Sequence, residues 1–199
     1  MSATESGPEH WEKLYREGRM PWDVGGVPKA LETWVDDSLD GLTALVPGCG
    51  SAYEAACLAN AGCAVLAVDF SPAAVRRAQE VTAGSGAVIA QADFFTLDQP
   101  RYDLIYERAF MCALAPSQRT QWVRQCARLL LPGGRLAGFF FTDPTAVDGP
   151  PFGTSEPELE RLLMPWFSKL EDRPSGGSLP VFAGRERWQV WQRSDASVD

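Results

Sequence analysis

The sequence predicts a doubly wound α/β fold, on three observations. Short apolar runs alternate with segments of helical character. These runs hold consecutive apolar residues, not one at every second position. The first two end in a glycine turn and an aspartate. Continuous apolar strands separated by helices indicate a parallel sheet covered on both faces. Right-handed crossovers then place ligands at the carboxyl ends of the strands.

Residues 8–19 suit a helix with Trp11 and Tyr15 on one face, four residues apart, and Trp22 beyond it. Residues 42–46 (LTALV) form the first strand, which runs into Pro47-Gly48-Cys49-Gly50. Residues 51–60 follow as a helix that Gly62 terminates. Residues 64–68 are the second strand, closed by Asp69. Ser71 supplies a side-chain cap and Pro72 the first helical residue, so residues 72–81 are helical. Residues 87–90 are the third strand, ending near Asp93, and residues 102–106 the fourth. Residues 117–131 read as a helix with Trp122, Cys126, Leu129 and Leu130 near one face. Pro132-Gly133-Gly134 breaks it, and residues 136–141 form the fifth strand. A Pro/Gly-rich loop covers residues 143–154. Ser155-Glu156-Pro157-Glu158 then matches a capping box and opens a helix to about Trp166. Residues 181–182 and 187–192 are expected to close the sheet as an antiparallel pair, for seven strands, and residues 194–199 to fray.

Composition narrows the function. The 199 residues carry 18 Lys and Arg against 26 Asp and Glu, a net charge of −8, which repels phosphate backbones and argues against a nucleic-acid partner. The apolar run at residues 136–141 is far below the roughly 18 residues that a membrane span needs. The polar N-terminus reads as neither a secretory nor a transit peptide, so a cytoplasmic protein without a membrane partner is the expectation. Cys49, Cys57, Cys63, Cys112 and Cys126 are odd in number and scattered, with no CxxC pair. That argues against a disulfide framework and against zinc. His10 is the one histidine, so no metal site is expected and a Ser-His-Asp triad would have to recruit it.

The chemistry centres on Gly48-Cys49-Gly50 and on Asp69, 21 residues beyond Gly48. The glycines let backbone approach a ligand at a helix start, and a carboxylate at the end of the second strand can accept from two vicinal ribose hydroxyls. A plain tight turn and a turn-initiating Asp are the alternatives. A dinucleotide pattern would need Gly or Ala at position 53, where the chain has Tyr53. S-adenosyl-L-methionine offers ribose and adenine without phosphate and needs no third glycine. Asp93 could take the adenine amino group. Phe94 could face the ring or sit in the core, and Phe95 reads as core.

These residues resemble a class I S-adenosylmethionine-dependent methyltransferase of the thiopurine S-methyltransferase superfamily, which includes the halide/thiol methyltransferases. The resemblance rests on Trp11-x3-Tyr15-x6-Trp22-Asp23, Leu45-Val46-Pro47-Gly48-Cys49-Gly50, Val68-Asp69-Phe70-Ser71 and Asp93-Phe94-Phe95. It continues through the run from Tyr102 to Arg108, Leu131-Pro132-Gly133-Gly134, and Asp143-Pro144 with Gly149-Pro150-Pro151-Phe152. It spans about residues 10–190. It implies a seven-stranded, mostly parallel sheet with an N-terminal helical lid, in which Trp11 and Tyr15 enclose the cofactor. It further implies that Asp69 holds the ribose, Asp93 and Phe94 flank the adenine, and Arg108 lies at the active pocket. Tyr15 stands where many relatives have a second Trp, and the Pro-Trp-Asp segment looks more like the halide/thiol branch. A single domain is expected, with a lid (residues 1–25), a cofactor-binding core (42–141) and an acceptor side (142–193).

Methyl transfer needs in-line attack on a sulfonium methyl, so positioning and dehydration carry the reaction. Aromatic faces such as Trp11, Tyr15 and Trp22 attract the cation and exclude water. A thiol acceptor reacts as thiolate. Arg108 could lower its pKa, hold an anionic acceptor or bind the methionyl carboxylate. The alternative for Arg108 is a surface ion pair with Glu107. Asp23 could receive the acceptor proton through water, or act as a cap or turn residue. Trp22 and Asp23, with Pro151 and Phe152, are the candidate acceptor wall, and Cys112 reads as a buried hydrophobe. The expected function is methyl transfer to a small soft nucleophile, a thiol or hydrosulfide, by a monomer. An NAD(P)-linked oxidoreductase and a non-catalytic cofactor-binding protein are the rivals.

Overall fold

A computed structural model describes residues 7–98, 101–177, 179–182 and 184–194. The strands have the sheet order β3-β2-β1-β4-β5-β7-β6. Residues 1–97 and 98–199 form two compact units.

In the first unit the elements are α1 (Pro8–Arg16), α2 (Lys29–Trp34), β1 (Thr43–Pro47), α3 (Tyr53–Asn60), β2 (Ala64–Asp69), α4 (Pro72–Val81) and β3 (Val88–Gln91). β1 pairs in parallel with β2 from Thr43↔Ala64 to Pro47↔Val68. β2 pairs in parallel with β3 from Leu66↔Val88 to Asp69↔Gln91. Consecutive Ala44, Leu45 and Val46 are all buried, as a strand covered on both faces requires. α4 begins as its residues dictate: Ser71 Oγ accepts from Ala74 N at 3.1 Å and Pro72 fills the first turn. Its buried residues Ala74, Val75 and Ala78 lie on one stripe.

One helix starts later than the sequence reading, and another is absent from it. α3 begins at Tyr53, not at residue 51, because Gly48, Gly50 and Ala52 all take positive φ and the turn continues through Ala52. α2 follows Pro28 and buries Ala30 and Leu31; at six residues it is too short for its periodicity to be read.

The second unit holds β4 (Tyr102–Arg108), α5 (Arg119–Leu129), β5 (Leu130–Phe141), α6 (Glu156–Leu163), β6 (Phe167–Pro174) and β7 (Glu186–Arg193). β4 and β5 are parallel, while β7 runs antiparallel to both β5 and β6. Ser155 Oγ accepts from Glu158 N at 3.3 Å, the capping bond expected at the start of α6. Four boundaries are corrected. α5 runs over residues 119–129 and not 117–131, with residues 116–118 in a 3-10 turn before it and Leu130 already in β5. Pro132-Gly133-Gly134 lies within the span of β5, which begins at Leu130; the register jumps from Tyr102↔Leu130 to Leu104↔Arg135, so these residues bulge out of the ladder. α6 stops at Leu163, short of Trp166. The partner of β7 is residues 167–174, not 181–182, which form a single 3-10 turn around buried Phe182. The stretch FSKLEDRP carries no apolar alternation because β6 is the last strand of the order, where charged side chains suit an exposed edge. The expected frayed tail lies outside the described residues except for Ser194. Among the described residues no helix is long and apolar enough to cross a membrane, and no group of three or more His, Cys, Asp or Glu could hold a metal ion.

Candidate active site

In the first unit the site is built on the carboxyl ends of β1 and β2. Asp69, the last residue of β2, is buried at 6% exposure. Its Oδ2 accepts from Gly50 N at 3.1 Å and its Oδ1 from Ser71 N at 2.9 Å. Burial raises its pKa, the two N–H donors oppose that, and the nearby charge of Glu12 raises it further. Each carboxylate oxygen has lone-pair capacity beyond the one backbone bond it accepts.

Three N–H groups of the glycine turn are already engaged. Cys49 N donates to Val68 O at 3.0 Å, Gly50 N to Asp69, and Ala52 N to Cys49 O at 2.8 Å. A pyrophosphate on this turn would have to compete for those N–H groups.

Over the turn lies an aromatic cluster. Trp11 and Trp22 meet edge-to-face with centroids 5.1 Å apart, and Tyr15 and Trp22 do so at 5.8 Å. Trp22 Nε1 donates to Tyr15 Oη at 3.3 Å. The sequence placed Trp22 off the face of Trp11 and Tyr15. The chain turns after α1, which stops at Arg16, and brings the indole back onto both rings. Burial pushes the Tyr15 phenol far up, and the Asp69 carboxylate adds to that. The cluster is held at two points. Glu12 Oε2 accepts from Ser71 Oγ at 2.6 Å and from Ala73 N at 3.0 Å. Asp23 Oδ2 accepts from Ser51 Oγ at 2.5 Å and from Arg77 Nη2 at 3.2 Å, while its Oδ1 accepts from Gly25 N at 2.7 Å.

Asp93 caps a turn, and Phe94 takes the core position, one of the two readings open for it. Asp93 Oδ1 accepts from Phe95 N at 2.9 Å and caps the short 3-10 turn at residues 94–96. Phe94 is buried at 3% exposure and Phe95 is half-buried, the reverse of the core reading given to Phe95. A ring so enclosed offers a ligand little of its face.

In the second unit, Arg108 ends β4 and stacks its guanidinium over the Phe139 ring, 4.7 Å from the centroid. Its neighbour Glu107, on the opposite face of the strand, is buried with Oε2 accepting no hydrogen bond among the described residues, so the surface ion pair with Glu107 is not formed. Glu107 Oε1 instead accepts from Phe110 N at 3.1 Å and Met111 N at 3.0 Å, tying the turn that Ala109 opens at φ +58°. Burial lifts the Glu107 carboxyl to about 7 against those two donors. Cys112 is buried and its thiol pushed well up, in keeping with a small hydrophobe. Pro151 and Phe152 are half-buried. Phe152 N donates to Cys112 O at 2.6 Å, and Arg119 Nη2 donates to the carbonyls of Phe152 at 3.1 Å and Gly153 at 2.8 Å. Gly153 packs its Cα directly on Asp143 O, leaving no room for a β-carbon.

With this geometry in view, the likeness to known proteins takes on meaning. The thiopurine S-methyltransferase family model matches residues 6–194. The chain belongs to the thiopurine S-methyltransferase family. It is 34% identical to a probable thiol methyltransferase 2 of Arabidopsis thaliana, over 98% of this chain and 88% of that protein. It is 30% identical to a thiopurine S-methyltransferase of Vibrio cholerae, over 79% and 81%. In three dimensions it resembles the magnesium protoporphyrin IX methyltransferase of Synechocystis, with a TM-score of 0.77, 18% identity and coverage of 94% and 97%. That last likeness shows the fold alone: the methyltransferase α/β sheet expected from the sequence. Within this family member the sequence reading missed Glu12, Arg77, Glu107 and Arg119. Arg77 and Arg119 lie in helices, where a basic residue reads as an exposed face. Glu107 left a signal, a carboxylate inside an otherwise apolar strand.

Proposed function

We propose that this enzyme transfers the methyl group of S-adenosyl-L-methionine to a thiol or hydrosulfide. The observation that carries the reading is Asp69, whose buried carboxylate is locked to the Gly50 turn directly beneath the Trp11, Tyr15 and Trp22 rings.

The residues present fit the cofactor. Asp69 keeps acceptor capacity for ribose hydroxyls, the aromatic cluster suits a sulfonium, and the engaged N–H groups of residues 49, 50 and 52 disfavour a pyrophosphate and with it the nicotinamide rival. When bound, the cofactor supplies an electrophilic methyl whose bond to sulfur breaks as the acceptor sulfur bonds to carbon, leaving a neutral thioether. The protein's own part is orientation and exclusion of water. Trp11, Tyr15 and Trp22 cover the reacting groups, while Gly48 and Gly50 allow close approach of backbone. Asp93 takes the adenine side, with Phe94 packed behind it. Arg108 serves an anionic acceptor or the methionyl carboxylate, and Pro151 and Phe152 form a stiff acceptor wall stapled by Arg119. Asp23, with both oxygens engaged, anchors the lid. The similarity to the plant thiol methyltransferase over nearly the whole chain supports a small sulfur acceptor.

The test is a product screen with methyl-labelled cofactor across thiols, hydrosulfide, halides, selenium and tellurium oxyanions, and thiopurines. Label is expected in methyl thioethers or methanethiol. Turnover confined to thiopurines, or none with any acceptor, overturns the reading. Arg108→Ala distinguishes its two roles: loss of turnover with cofactor affinity kept assigns it to the acceptor, and equal loss of both assigns it to the cofactor.

A further inference from the structure

Glu12 is not one of the aromatic residues of the lid, yet it is the residue of α1 that bonds to the start of α4. It sits on α1 next to Trp11 and one turn before Arg16, and it reaches the first turn of α4, some sixty residues on. One oxygen, Oε2, accepts two hydrogen bonds there, from Ser71 Oγ at 2.6 Å and Ala73 N at 3.0 Å. The anion lies at the positive end of a ten-residue helix, where a carboxylate is stabilised. Arg76 and Arg16 add favourable charge, and the Ser71 bond is the largest influence holding its pKa down. Ser71 in turn joins the two halves of the site. Its hydroxyl oxygen accepts from Ala74 N, its hydroxyl proton goes to Glu12, and its N–H goes to Asp69 Oδ1. A continuous chain of hydrogen bonds therefore runs from the lid helix through Ser71 to Asp69 and Gly50.

We propose that Glu12 is a positioning residue of the cofactor site, latching α1 to α4 so that Trp11 and Tyr15 are held over the Gly50 turn. This rests on the methyltransferase reading above, but its geometry does not. α1 buries none of its residues fully, and a charge-assisted two-donor bond adds to the half-buried contacts of Trp11, Leu14 and Tyr15 in fixing its position. Glu12 bonds to Ser71 and Ala73 and not to the Gly50 turn or Asp69, so it acts through Ser71, through the placement of its neighbours and, at longer range, through its charge on Asp69.

The test compares the intact protein with Glu12→Gln and Glu12→Ala, using amide hydrogen exchange and S-adenosylhomocysteine affinity by calorimetry. In Glu12→Ala, exchange in residues 8–16 is expected to rise about tenfold while residues 74–81 keep their protection, with affinity falling by a similar factor, the effect of losing the two hydrogen bonds that the carboxylate accepts. Glu12→Gln, which keeps an acceptor oxygen, is expected to fall between the two. Equal loss of protection in α1 and α4 would mean that Glu12 only caps α4, and unchanged exchange in residues 8–16 would mean no latch; either overturns the proposal. A wild-type protein that fails to bind S-adenosylhomocysteine would overturn the methyltransferase reading, and the exchange comparison would still decide the latch.

Discussion

A β-carbon built on Gly50 would fall 2.6 Å from the hydroxyl oxygen of Tyr15, so the lid and the glycine turn are fitted to one another at the scale of a single atom. Gly50 also stands at φ +53°, where an L side chain is strained. Gly50→Ala is therefore expected to cost about 1–2 kcal/mol for the left-handed backbone, plus displacement of Tyr15. Adding Tyr15→Phe removes the clashing oxygen but not the backbone strain. A double-mutant cycle on thermal stability should thus show a favourable coupling between the two substitutions, and strict additivity would place the phenol elsewhere.

The raised carboxyl of Glu107 gives stability a pH dependence of definite sign. Its folded pKa of about 7 lies above the ordinary glutamate value of 4.5. The native state therefore binds the proton more tightly, and the contribution is full below pH 4.5 and lost as pH rises through 7. The size is on the order of 3 kcal/mol. Glu107→Gln should remove this slope, so the stability difference between variant and wild type, from urea unfolding, should shift in favour of the variant between pH 5 and pH 8.

Arg119 is buried while its guanidinium holds the carbonyls of Phe152 and Gly153. Arg119→Ala leaves those carbonyls without their cation and is expected to cost roughly 2–3 kcal/mol. If the Phe152 loop walls the acceptor pocket, KM for the thiol should rise several-fold with cofactor affinity unchanged. Steady-state kinetics at saturating cofactor, beside calorimetry, checks both.

Asp23 and Arg77 form an ion pair whose arginine side is 40% exposed, so screening keeps its value below about 1 kcal/mol. Asp23→Asn is expected to loosen the lid and weaken cofactor binding a few-fold while leaving the pH profile of kcat unchanged. A general base at this position would instead remove the acid limb of that profile.

Much of the fold was legible because it follows from local chemistry. Ser71 and Pro72 announced α4, and its bounds are those expected. Leu45 and Val46 announced a strand buried on both faces, and Ser155 with Glu158 announced α6. The polar strand β6 was not legible, because a pairing with Arg187 and Trp188 gives FSKLEDRP a conformation that its own pattern does not.

The candidate site divides the same way. Its motif residues, Gly48, Gly50, Asp69 and the three aromatic rings, can be named from the sequence, since the chemistry of ribose and sulfonium restricts the residue types and the strand ends restrict their spacing. What those side chains do was left to the tertiary structure. Glu12 meets Ser71 across 59 positions, and Asp23 meets Arg77 across 54. A carboxylate becomes a base, a cap or an anchor according to which donors come within about 3 Å of it. That distance is set by packing between distant segments, and no local pattern in the chain encodes it.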